Sequence, residues 1–238
     1  RFVIPDIQGF RYYTDKPGDY GADGPAYVRE HCFSQVDGKE YDESLAYALW
    51  LPEDYHEDGT YAMVTLQNPA AAAGTHPMEA VLQTRSPAVY ASEWAQQLVK
   101  ETHGVDGLIV LVPVITERVD DNGCTPAEYE AVVHLWDEII QTYHVDPNLV
   151  YGTGQSQGCM TNIALSDRYP DLFAAQFLVA GQWNVEEMAA MKDKKLWIVV
   201  CEGDGKAYPE MSAAVDLWES LGAAVARGDS FWKQHRES

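Results

Sequence analysis

Basic residues are scarce in this 238-residue chain: 16 Lys and Arg stand against 37 Asp and Glu, a formal charge of -21. A field of that sign repels phosphates and anionic headgroups, which argues against nucleic acid and membrane surfaces as partners. Long hydrophobic runs are missing too. The longest, Leu108 to Ile115, falls far short of the about 20 residues that a membrane-spanning helix needs. Cysteine is sparse, and Cys32, Cys124, Cys159 and Cys201 show no CxxC or Cys/His ligand spacing. Neither a zinc site nor a disulfide framework is indicated, and buried free thiols are expected. A basic-then-apolar leader is also lacking, and the chain opens on Arg1. It therefore reads as a processed form or a fragment, with a lean toward a secreted protein and a cytoplasmic one as the alternative.

What is present is ordinary globular material, 46% hydrophobic and 22% charged, long enough for a sizeable core. No repeat or linker divides it, and Ala70 to Ala73 is the one low-complexity run. Residues 1–25, rich in Gly, Pro, Asp and Tyr, read as an N-terminal extension wrapping one domain over 26–238, with at most short strands of its own. Strand-like runs fall at Ser44 to Leu51, Tyr61 to Leu66, Gly107 to Val114, Leu149 to Gly152, Ala175 to Ala180 and Leu196 to Cys201. Several are continuous apolar runs, as strands covered on both faces require.

Helical patterns lie between them. The clearest opens on the capping box Thr125-Pro126-Ala127-Glu128 and carries Tyr129, Val132, Val133, Trp136, Ile139, Ile140 and Tyr143 on one stripe. Others are expected at Ser92 to Glu101, Gln157 to Tyr169 and Glu210 to Leu221. The alternation predicts an α/β fold: a mostly parallel sheet between helix layers, with an antiparallel start over residues 26–66.

The chemistry concentrates where strand Leu149-Val150-Tyr151-Gly152 meets Gly154-Gln155-Ser156-Gln157-Gly158 and the helical pattern that follows. As a string, G-x-S-x-G arises by chance in about 8% of chains this long, taking Gly and Ser each near ~7%. Its strand-to-helix context is what makes it informative. Such a turn strains the serine, exposes its hydroxyl and needs glycines where strand and helix approach, while the helix N-terminus offers amides to an oxyanion. The bland alternative is a Gly-rich turn with no nucleophile.

An acid and then a histidine should follow the serine along the chain. Asp204, in Glu202-Gly203-Asp204-Gly205 after the last strand run, is the acid candidate, with Glu202 as competitor and a turn-making role as the alternative. His31, His56, His76, His103, His134 and His144 all precede Ser156, so chain order leaves His235 or a histidine beyond residue 238. If residues 223–231 formed a last strand, His235 would lie on the loop after it, but Phe231 to Ser238 reads more as the start of a polar helix. Oxyanion donors are the amide of Gln157 and a group from Gln67-Asn68-Pro69-Ala70, where Pro69 has no N-H. Asn68, Ala70 or the Gln67 side chain remain. Trp183, Tyr208 and Met160 are candidates for a substrate wall, with ordinary packing as the alternative.

These residues resemble the α/β-hydrolases, and among them the esterases akin to polyhydroxybutyrate depolymerases, feruloyl esterases and related predicted peptidases. The resemblance spans about residues 40–222. It rests on Leu45-Ala46-Tyr47-Ala48-Leu49-Trp50-Leu51-Pro52, Val145-Asp146-Pro147-Asn148, the segment Tyr151 to Gly158, Arg168-Tyr169-Pro170-Asp171-Leu172-Phe173-Ala174-Ala175 and Glu202-Gly203-Asp204. It implies ester hydrolysis through an acyl-enzyme, Ser156 as nucleophile, Asp204 as triad acid, and no metal or cofactor. The chain departs from the family's pattern twice. Gln67-Asn68 stands where His-Gly is usual, and a terminal Gly-His segment is absent, which implies a catalytic domain that stops before its base. Hydrolysis of a small or polymeric ester is thus the leading expectation. Amide or peptide hydrolysis, an acyltransferase and a catalytically silent binding scaffold are the alternatives.

Overall fold

Strand Gly107–Val114 is GLIVLVPV and every one of its residues is buried, as is every residue of Tyr61–Gln67. Such runs are stable only where both sheet faces are covered, and that requirement organises the fold. The computed structural model describes residues 9–13, 26–27, 33–36, 39–42, 45–116 and 126–227, with side chains left out for 26–27, 33–36, 39–42 and 126–127. The strands are β1 (Arg11–Tyr13), β2 (Ala26–Tyr27), β3 (Phe33–Val36), β4 (Lys39–Asp42), β5 (Ala46–Trp50), β6 (Tyr61–Gln67), β7 (Gly107–Val114), β8 (Val145–Gln155), β9 (Ala175–Val179) and β10 (Leu196–Val199). The helices are α1 (Pro77–Thr84), α2 (Ser86–Tyr90), α3 (Glu93–His103), α4 (Pro126–Thr142), α5 (Gln157–Arg168) and α6 (Ala207–Ser220).

Eight strands form one sheet in the order β10-β9-β8-β6-β7-β5-β1-β2, and β3 and β4 pair as a separate antiparallel hairpin. From β7 through β6, β8 and β9 to β10 the strands are parallel, while β5 is antiparallel to both β7 and β1. The antiparallel start expected over 26–66 is present in the β3–β4 hairpin and in β5, whereas β6 departs from it. β6 belongs to the parallel set because α1–α3 form the crossover to β7 that parallel pairing demands, and β2 lies parallel to β1.

Within the continuous apolar runs the period of two still operates. Tyr61, Met63, Ile109 and Leu111 enter the core with α4, α5 and α6; Ala62, Val64, Leu66, Val110 and Val112 enter the one with α1 and its neighbours. Polar atoms inside the first core are tied: the Trp136 indole N-H donates to Thr65 Oγ1 at 3.1 Å, and that of Trp218 to the Met188 carbonyl at 2.6 Å. The Trp136 ring also meets Phe173 edge-on at 5.3 Å.

Local signals explain most boundaries. Ser92 caps α3 by accepting from the Ala95 amide, and Gly104 closes it at φ 69°. β8 begins earlier than the Leu149 to Gly152 run predicts, because the ladder with β6 slips between Tyr61 and Met63 and so absorbs Pro147. Helices α1 and α2 escape sequence reading: His76 Nδ1 caps α1, and Arg85 joins the two helices at φ 53°. Of the cysteines, Cys159 is buried, and burial pushes its thiol up to about 12. Cys201 corrects the expectation of buried thiols, since β10 ends at Val199 and leaves it on an exposed loop. Cys32, Cys124 and the capping residue Thr125 lie outside the described residues, and residues 223–227 form no strand.

Candidate active site

β8 runs straight into α5 with a single residue between them. That residue is Ser156, at φ 56° and ψ -121°. An L side chain in this region costs about 1–3 kcal/mol, and the surroundings hold it there. The Ser156 amide donates to the Val179 carbonyl at 2.9 Å, and its carbonyl accepts from Met160 at 3.1 Å. A serine at a helix N-cap ordinarily spends its oxygen on the first-turn amides. Ser156 does not: it makes no capping bond, and the residue is exposed.

The glycines are explained by contact. A Cβ on Gly154 would lie 2.3 Å from the Gly158 carbonyl carbon, and one on Gly158 would lie 2.2 Å from the Gln67 carbonyl oxygen. Both clashes are with backbone, which cannot give way. A third glycine that sequence reading missed, Gly181, lets the chain after β9 lie against the turn, since a Cβ there would be 2.5 Å from Cys159 Cβ and 2.9 Å from the Ser156 carbonyl oxygen. It stands outside any motif, so no local signal announces it.

The same approach sets Gln67 and Asn68 beside the N-terminus of α5, whose first residue, Gln157, is buried. Helix N-termini carry unmatched amides and partial positive charge. The Asn68 side chain is committed elsewhere: Oδ1 accepts from the Ile115 amide at 3.0 Å and Nδ2 donates to the Pro69 carbonyl. Gln67 Nε2 donates to Thr65 Oγ1 on the α4 side of the sheet. Side-chain amides therefore pin this loop.

Asp204 follows β10 on the carboxyl edge, two strands from Ser156. Its Oδ1 accepts from the amides of Ala207 and Lys206 at 2.9 and 3.1 Å, so it caps α6. Those two bonds hold the carboxyl below the usual aspartate range. Glu202 is exposed on the same loop.

Trp183 and Met160 are buried in the core with α4–α6, and the Trp183 indole donates to Glu187 Oε2 at 2.6 Å. Tyr208 is half-buried in the first turn of α6. None of the three lines the cavity that opens beside the Ser156 turn, of about 160 Å³, which lies between α1–α2 and the strand ends Asn68, Gly154, Gln155 and Val179. Its aromatic walls are Tyr90 and Phe177, which sequence reading missed because Tyr90 sits in a helix that no pattern announced.

None of the described histidines lines this cavity. His144 and His56 adjoin Tyr61 at the amino end of β6, and His103 Nε2 lies 3.0 Å from the Tyr151 hydroxyl at the C-terminus of α3. His76 caps α1 and packs against Tyr12 of β1, with ring centroids 4.5 Å apart. His134 is in mid-α4. His31 and His235 lie outside the described residues. Among the described residues no cluster of His, Cys, Asp and Glu is arranged to hold a metal ion.

No family model matches the chain, and no curated protein does. Solved structures do. A thermostable esterase aligns with a TM-score of 0.66 at 22% identity, covering 87% of this chain and 56% of that one. A ferulic acid esterase aligns with a TM-score of 0.55 at 14% identity, covering 87% and 92%. Thermogutta terrifontis esterase 2 phosphoramylated by tabun aligns at 0.52 and 11%, covering 87% and 89%. At such identities the likeness is one of fold, and together with the strand order and the strand-turn-helix at Ser156 it defines an α/β-hydrolase fold. The chain spans little more than half the length of the thermostable esterase, 56%.

Proposed function

We propose that this chain is a serine hydrolase that cleaves carboxylic esters, with Ser156 as the nucleophile. The observation that carries the reading is the exposed, uncapped Ser156 side chain held at φ 56° over the first amides of α5. Attack by Oγ on the ester carbonyl forms a tetrahedral intermediate. Its oxyanion is held by the Gln157 amide and by a backbone amide of Asn68 or Ala70, since Pro69 has none and the Asn68 side chain is engaged. Asp204 orients the imidazole that takes the serine proton and returns it to the leaving alcohol, and water then cleaves the acyl-enzyme. That imidazole is His235 or a histidine beyond residue 238.

The test is hydrolysis of a short-chain p-nitrophenyl ester, and labelling by a serine-directed phosphonate, of the chain and its Ser156→Ala and His235→Ala variants. Loss of labelling and hydrolysis in Ser156→Ala supports the nucleophile, and loss in His235→Ala identifies the base. A folded chain that neither labels nor hydrolyses, alone or extended past residue 238, overturns the reading in favour of a silent scaffold. Hydrolysis of anilides at rates matching esters would instead favour an amidase or peptidase.

A further inference from the structure

Among the described residues, those other than glycine that have positive φ are Arg85, His144, Ser156 and Ala180. Arg85 joins α1 to α2, and His144 precedes β8. The other two meet. Gln155 pairs with Val179 in the β8–β9 ladder, so Ser156 at φ 56° and Ala180 at φ 47° stand opposite each other one step past its last pair. Both chains leave the sheet at one level, through a conformation that an L side chain reaches only at a steric cost.

Residues 179–181 meet Ser156 at both of its peptide groups. The Ser156 amide donates to the Val179 carbonyl at 2.9 Å. Gly181 lies against the Ser156 carbonyl oxygen and Cys159 Cβ, where an added Cβ would be 2.9 and 2.5 Å away. Ser156 could relax to negative φ in two ways. Swinging the peptide before it breaks the bond to Val179. Swinging the helix after it shears the buried Cys159 across Gly181, where there is no room for one more carbon. Ala180 sets the angle between these two stops, and its own amide is fixed by the Val199 carbonyl of β10 at 2.9 Å.

We propose that Ala180 is a positioning residue: the left-handed turn that it makes at the end of β9 holds Ser156 in the strained conformation from which its hydroxyl attacks. The proposal rests on Ser156 being the nucleophile. What position 180 supplies is a backbone angle and not a side chain, so glycine can take the place of alanine there and a β-branched residue cannot.

Two measurements test this, on the chain and on the chain extended past residue 238. In saturation kinetics with a serine-directed phosphonate, Ala180→Val should lower the limiting labelling rate about tenfold or more with the half-saturating concentration unchanged, and Ala180→Gly should restore the wild-type rate. Loss of packing alone would not produce that split. Gly181→Ala, which shifts the second stop, should lower the limiting rate likewise and serves where Ala180→Val does not fold. Melting curves supply a readout that needs no activity. Ser156→Gly should raise the melting temperature of the wild type by about 3 °C and leave that of Ala180→Val unchanged, because Ser156 has already relaxed there. Absence of labelling in the extended chain removes Ser156 as nucleophile and the proposal with it. With labelling intact, a folded Ala180→Val that labels at the wild-type rate, or a Ser156→Gly shift that is equal in both backgrounds, overturns the role of Ala180 alone.

Discussion

Strands β6 and β10 are both short apolar runs in the parallel part of one sheet, yet every residue of β6 is buried while β10 alternates between half-buried and exposed. β6 has β7 and β8 on its edges, α1 against one face and α4–α5 against the other. Among the described residues β10 has one neighbouring strand and one covered face. Apolar composition made both of them strands, but position in the sheet decided what each buries. The carboxyl edge where β6 and β8 end is accordingly the rigid part of the molecule, and there a strained serine is affordable: its cost of about 1–3 kcal/mol is spread over backbone contacts that have nowhere to move.

The contrast is tested most severely at Ser156. Ser156→Ala should lower ester hydrolysis at least about 10³-fold with the far-UV spectrum unchanged, and retained activity would remove the rigid edge from the chemistry. Gly158→Ala should destabilise the fold by about 3 kcal/mol or more, because its Cβ meets the Gln67 carbonyl oxygen at 2.2 Å. Denaturant unfolding that shows a loss below about 1 kcal/mol would mean that the β6 loop can retreat. Between the strands themselves, Met63→Ala in β6 should cost about 2–5 kcal/mol and Trp197→Ser in β10 within about 0.5. Equal losses would erase the distinction between them.

Two smaller effects sharpen it. Ser156→Gly should raise stability by about 1 kcal/mol by relieving the positive φ, and a melting temperature below wild type would argue that the serine side chain is structural. Asp204, held below the usual aspartate range by the Ala207 and Lys206 amides, favours the folded state above its unfolded value of about 3.9. That contribution is lost as pH falls through the lower folded value. Asp204→Asn should therefore flatten the acid limb of stability against pH, and superimposable curves would show that the cap is energetically silent.

Much of this was legible beforehand. Gly107–Val114 is recovered residue for residue, and α4 from Pro126 within one residue at its far end, because a continuous apolar run and a 3.6-residue stripe are local signals. The turn at Ser156 was readable for the same reason, with both glycines inside five residues. What was hidden depends on partners distant in the chain. Gly181 matters through Cys159, the Asn68 side chain through Ile115, and Trp183 through Glu187 and the core it completes. α1 and α2 hinge on a histidine cap and an arginine at positive φ, which composition does not announce.

The sequence by itself determined that strands and helices alternate, that the surface is acidic and that a serine lies between a strand and a helix, since periodicity, charge and spacing act within a few residues. Only the tertiary structure decided that β6 runs parallel with β7 and β8, that β10 covers one face and not the other among the described residues, and that the loop after β6 touches the helix after Ser156. Each of those is a contact between segments tens of residues apart, and its free energy exists only once the sheet has brought them together.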